Sequence, residues 1–161
     1  MAVYGIGSMY GRNIERKSEF LASHCACIGW KKEEAPALHK MLRKIKVGDF
    51  VYIKSFAVMK KELRVKAVGI VINDEREKDA LGEGVTVKWL WDCGNTPEII
   101  KITDAVYKNN VFNNTLYEEY NFNIQKRILE LGIERHNIEG SISEILSEEE
   151  NSVQDINYPL G

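Results

Sequence analysis

The stretch Val85-Thr86-Val87-Lys88-Trp89-Leu90-Trp91-Asp92 is the clearest local signal in the chain. Val85, Val87, Trp89 and Trp91 alternate with Thr86, Lys88, Leu90 and Asp92, the period-2 pattern of a strand with one packed face. Upstream, Phe50–Phe56 and Leu63–Ile72 are β-rich runs of the same kind, joined by the basic loop Met59-Lys60-Lys61. Downstream, Pro97 forces a break and Ile99–Ile102 predicts a short strand. Strands therefore follow one another through short connections, with no helix between each pair, which argues against a fully parallel sheet.

The flanks add two more strands, two helices and a short tail helix. Residues 2–10 alternate loosely around Gly5 and Gly7, a strand whose glycines admit a close neighbour. Gly11–Ser18 is polar and predicts a loop, and His24–Trp30 predicts a buried strand. Pro36 opens a helix whose apolar positions are Leu38, Met41, Leu42 and Ile45, with Lys40, Arg43 and Lys44 opposite. Gly48 then turns the chain into the next strand, and Asn73–Gly84 is a charged hairpin loop. From Thr115 to Leu131 the spacing of Tyr117, Tyr120, Ile124, Ile128 and Leu131 predicts a helix closed by Gly132. Ser141-Ile142-Ser143-Glu144 has capping-box spacing and predicts a short tail helix. The fold class is α+β: a small curved, mostly antiparallel sheet or barrel with helices packed outside.

The 161 residues suit one domain, taken as 1–133, with an acidic tail at 134–161. Residues 1–133 hold 21 Lys and Arg against 17 Asp and Glu, whereas 134–161 hold Arg135 against seven acids. Within the first part, residues 31–66 carry eleven basic groups against four acids. A basic body suits an anionic partner such as nucleic acid, and an acidic tail suits a protein partner. No apolar run reaches the ~20 residues of a membrane-spanning helix, so no membrane association is expected. Cys25, Cys27 and Cys93 are too few for a disulfide framework, and the N-terminus lacks a secretory pattern. A reduced, cytoplasmic protein is expected.

Enzyme signatures are missing from the sequence. It has no phosphate-binding Gly-rich loop, no dinucleotide fingerprint and no nucleophile elbow. His24, His39 and His136 fall in separate elements. His24-Cys25-x-Cys27 is half of a metal pattern without a second half, so neither a metal nor a cofactor is expected. Trp30 is the residue that stands out. It ends a predicted strand and precedes Lys31-Lys32-Glu33-Glu34, which suits an aromatic that stacks a base beside cationic side chains.

Cys27-Ile28-Gly29-Trp30, the helix 35–45, Val47-Gly48-Asp49-Phe50-Val51-Tyr52, Val68-Gly69-Ile70-Val71 and the strand at 85–91 occur in order. This series resembles the EVE and YTH branches of the PUA-like superfamily over roughly residues 2–105. The resemblance implies a reader that takes a flipped, modified base into an aromatic-lined pocket, without chemistry of its own. Trp30 matches a cage tryptophan and would stack the base. Ser8, near a base-contacting position of YTH domains, would read its edge, and Trp91 is a further aromatic candidate for the pocket. Lys31, Lys32, Arg43, Lys60 and Lys61 would hold phosphates. Gly7 stands where YTH domains carry a Lys before that serine, and 73–84 has no aromatic where they carry a second cage tryptophan. The EVE type is therefore the better match. Two rival readings remain on the same fold. One is an ASCH-like hydrolase of a modified nucleoside, with Lys54 and Thr86 as nominees. The other is a protein-interaction module in a phage–host conflict, acting through the tail.

Overall fold

Residues 1–104, 107 and 114–133 are described by a computed structural model of the chain. The tail 134–161, and with it the expected capped helix at Ser141, lies outside the described residues. The elements run β1 (Val3–Gly7), β2 (Met9–Tyr10), β3 (Ile14–Glu15), α1 (Lys17–Ala22), β4 (Cys25–Ile28) and α2 (Pro36–Leu42). They continue as β5 (Phe50–Ala57), β6 (Glu62–Asn73), β7 (Glu83–Asp92), β8 (Glu98–Lys101) and β9 (Leu116–Glu118), then the helical residues 122–133, called α3. Among the described residues, seven strands form one curled sheet in the order β4-β7-β6-β5-β1-β9, with β8 paired to β6. β2 and β3 form a separate two-stranded hairpin. The α+β class with a curved sheet and outer helices is what the structure shows.

Every pair in the main sheet is antiparallel except β1–β5, which run parallel from Val3↔Phe50 to Gly7↔Lys54. The long connection that parallel pairing requires holds α1, β4 and α2. α2 starts with Pro36 in its first turn, where a missing N–H costs nothing, and buries His39 and Leu42. Gly48, at φ +92°, makes the turn into β5 that a side chain would resist.

Two cores lie on the two faces of the sheet. One gathers Ile6, Val51, Ile53, Val71, Val85 and Val87 with Phe20 of α1 and Leu42 of α2. The other gathers Tyr52, Leu63, Val65 and Val68 with Ile124, Ile128 and Leu131 of α3. Full burial of each such side chain contributes about 1.5–3 kcal/mol.

Strict alternation fails at three register shifts. Along β6–β7 the register passes from Val68↔Trp91 to Gly69↔Trp89, so Leu90 is the extra residue. Trp89 therefore packs with Val85 and Val87 on one core, and Leu90 and Trp91 pack on the other. This corrects the expectation of one continuous face from Val85 to Trp91, because an extra residue reverses the parity that follows it. At another, Ile53↔Ala67 passes to Lys54↔Val65 and Lys66 is the extra residue, and at the third Val71↔Val87 passes to Asn73↔Thr86 with Ile72 extra.

Two more expectations are corrected near the chain ends. Gly11–Ser18 is not all loop: it contains β3 and the start of α1. The helix predicted over Thr115–Leu131 begins only at residue 122. Leu116–Glu118 instead pairs with β1, because Gly5 leaves room for the ring of Tyr117. A Cβ on Gly5 would sit 2.5 Å from Tyr117 Cζ. Asn121 then starts α3, its Oδ1 accepting from the backbone N–H groups of Asn123 and Ile124 at 3.0 and 3.2 Å. Gly132 is a buried helical residue rather than a cap, and its bare Cα faces Val68 and Phe50.

Candidate functional site

A cavity of about 510 Å³ opens between the β2–β3 hairpin and the loop that follows β4. The hairpin supplies Met9, Tyr10, Gly11 and Arg12, and the loop supplies Gly29, Trp30 and Glu34. Thr115, just ahead of β9, completes the lining, and its carbonyl accepts the N–H of Gly7 at 2.7 Å. The volume falls in the range of small-molecule and cofactor sites.

Each wall is held from behind. Gly29 lets the Tyr10 ring lie directly on the backbone; a Cβ there would meet that ring at 2.9 Å. Tyr10 donates its hydroxyl to the Leu81 carbonyl and packs edge-on against Phe20, with ring centroids 6.1 Å apart. The Arg16 guanidinium stands 5.8 Å from the centre of the Tyr10 ring. Trp30 is 52% exposed, far more than the residues of either core. Its side chain is open while its backbone is anchored: buried His39 bonds the Trp30 carbonyl through Nε2 and Glu83 Oε2 through Nδ1, each at 2.8 Å. The loop itself is a turn closed by the N–H groups of Glu34 and Ala35 on the Lys31 carbonyl, each at 3.0 Å.

The expected site residues separate. Trp30 lines the cavity, and Lys31 and Lys32 are exposed immediately beside it. Ser8 is buried, and its hydroxyl donates to Glu15, so it is turned into the protein and not toward a base. Trp91 is half-buried on the α3-side core, carried there by the Leu90 bulge, and takes no part in the lining. Arg43 is exposed at the end of α2. Lys60 and Lys61 stand in the exposed β5–β6 turn. Lys54 is level with Gly7 on the cavity side, and that turn begins only beyond Ala57. Lys60 and Lys61 lie in the turn between Ala57 and its partner Glu62, whereas Trp30 follows Ile28, which is level with Glu83 at the other end of the sheet. Lys31 and Lys32 thus lie at the opposite end of the sheet from Lys60 and Lys61.

A polar cluster lies behind the hairpin. Lys66 pairs with Glu15 at 2.6 Å, and Lys17 pairs with Asp92 at 2.6 Å. Burial pushes the Glu15 carboxyl up, but the bonds from Lys66 and Ser8 outweigh it and hold the group below its usual range. Lys54 is buried and donates to the Asn114 carbonyl at 2.8 Å, with Nζ 5.4 Å from the centre of the Tyr117 ring. Burial pushes its ammonium down to about 8, and the like charge of Lys66 adds to the shift. Thr86 is level with Asn73 on β6, whereas Lys54 is level with Val65. Eight residues of strand, roughly 25 Å, separate the two nominees of the hydrolase reading. Cys25 and Cys27 are buried core residues, and the Arg76 guanidinium reaches Cys27 Sγ at 3.3 Å.

Sequence reasoning missed Tyr10, Arg12, Glu34 and His39. The run Tyr10-Gly11-Arg12 did carry a signal, since an aromatic before a Gly-containing turn marks a hairpin tip. Nothing in the sequence showed that this tip faces Trp30. No protein-family model matches the chain, and no curated protein matches it.

Proposed function

We propose that this protein binds nucleic acid by stacking one exposed base on Trp30, within the cavity between the β2–β3 hairpin and the β4–α2 loop. The observation that carries the reading is a half-exposed tryptophan, anchored through its backbone, on the wall of a ligand-sized cavity that also presents Arg12. A base offers a flat π-face to such a ring, and its phosphates meet Lys31 and Lys32 at the rim. A base that is unpaired or flipped from a duplex presents that face, which agrees with the EVE-type resemblance and with a modified base as ligand. Lys60 and Lys61 lie far enough away to meet a neighbouring stretch of the same strand.

The test is a titration of a labelled single-stranded octanucleotide, as DNA and as RNA, across a salt series. Log K should fall linearly with log salt, at about −0.7 per phosphate contacted. Trp30→Ala should weaken binding by about 5- to 150-fold, the equivalent of one stacked base. Absence of binding, or binding indifferent to Trp30→Ala, overturns the reading.

A further inference from the structure

Two residues of opposite charge line the cavity, and no ion pair joins them. Arg12 comes from the tip of the β2–β3 hairpin and Glu34 from the turn before α2. Among the described residues Arg12 makes no hydrogen bond or ion pair. Glu34 Oε2 accepts the Lys31 N–H at 3.2 Å, and among the described residues Oε1 has no donor. The cavity therefore offers a ligand one group that only accepts and one that only donates, beside the face of Trp30.

Base edges differ in how they answer that pair. A carboxylate accepts two parallel hydrogen bonds, and guanine is the common base with two adjacent donors, N1–H and the N2 amino group, on one edge. Adenine and cytosine place a ring acceptor beside their amino group, and that acceptor would repel a carboxylate. Uracil and thymine have a single N–H between two carbonyls. A guanidinium donates two parallel bonds, and guanine supplies the matching acceptors O6 and N7 on its adjacent edge.

Resting on the reading that a base stacks on Trp30, we propose that the cavity selects guanine. Glu34 accepts from N1–H and N2–H, and Arg12 donates to O6 and N7. No bond is made or broken.

The experiment uses the full chain and oligouridine octamers with one central guanine, inosine, 7-deazaguanine or adenine. Inosine lacks the N2 amino group and 7-deazaguanine lacks N7, so each removes one half of the match. The guanine octamer should bind about tenfold or more tighter than the other three. Glu34→Gln should erase the preference of guanine over inosine while leaving the preference over 7-deazaguanine. Glu34 is exposed, and an unchanged melting temperature shows that the variant folds. Equal binding of all four octamers overturns guanine selection. If Trp30→Ala weakens all four alike in that case, base stacking on Trp30 survives. Binding of none overturns both. A guanine preference that Glu34→Gln leaves intact overturns the assignment of Glu34.

Discussion

His39 Nε2 stands 2.8 Å from the carbonyl oxygen of Trp30, nine residues earlier in the chain. A carbonyl can only accept, so Nε2 carries the hydrogen, and the ring is held on its other side by Glu83 Oε2. The first residue of β7 is thereby linked, through a buried ring of α2, to the backbone of the one exposed tryptophan in the cavity. His39→Phe keeps the ring volume and removes both bonds. It should destabilise the fold by about 1–3 kcal/mol, since the Trp30 carbonyl and Glu83 lose their partner. Urea unfolding measures that cost, and the oligonucleotide titration should show weaker binding in the same variant. An unchanged affinity would mean that the loop holds Trp30 without His39.

The tryptophans should respond in opposite ways. Trp30 is 52% exposed, and truncation to Ala should cost on the order of 1 kcal/mol of stability while binding weakens by about 5- to 150-fold. Trp89 packs on the α1/α2-side core and donates Nε1–H to the Phe20 carbonyl at 3.1 Å. Trp89→Ala should cost about 3–5 kcal/mol. Thermal melts of the two variants side by side check the contrast, and equal destabilisation contradicts it.

Lys54 should make stability rise in alkaline solution. Its ammonium is held down at about 8 in the folded chain, against an ordinary value of 10.5. The unfolded chain therefore binds more protons between those values, and stability increases with pH across that window. Below about pH 8 the full penalty of the buried charge is present, roughly 3 kcal/mol. Lys54→Met keeps the stem without the charge and should remove the rise. Urea midpoints from pH 7 to 10.5 for both proteins test this; parallel curves would exclude Lys54 as its source.

Glu119 should act with the opposite sign at acid pH. Burial pushes its carboxyl above the usual 4.5, although Tyr107 and Tyr52 both donate to it. The folded chain then holds a proton that the unfolded chain releases. The contribution is complete below 4.5 and is lost as pH rises through the folded value. Glu119→Gln should flatten stability between pH 4 and 7 relative to the unaltered protein. A curve that keeps its slope in the variant would rule out Glu119 as the cause.

How much of this was legible beforehand depends on the range of the interaction responsible. Alternation along 85–89 and the 3–4 spacing of Leu38, Met41 and Leu42 mark elements with a packed side, and those elements are present at β7 and at α2, which ends at Leu42 before Ile45. Trp30 stands out because it ends a strand beside Lys31 and Lys32, a placement that suits base stacking and is a matter of local sequence. The Leu90 bulge was not legible, because a bulge is a property of two paired strands and only Gly69 opposite shows where the register slips. Tyr117 read as helical because its spacing fits α3, and it became strand because Gly5, more than a hundred residues earlier, offers a bare backbone to lie on. The sequence by itself determined the strands of the middle of the chain and the helix after Pro36, since periodicity and turn chemistry act over a few residues, and it marked Trp30 as a candidate without deciding whether its ring is open. Tertiary structure alone decided that Arg12 and Glu34 share a cavity with Trp30 while Ser8 and Trp91 do not, because that depends on how the curled sheet brings distant segments together.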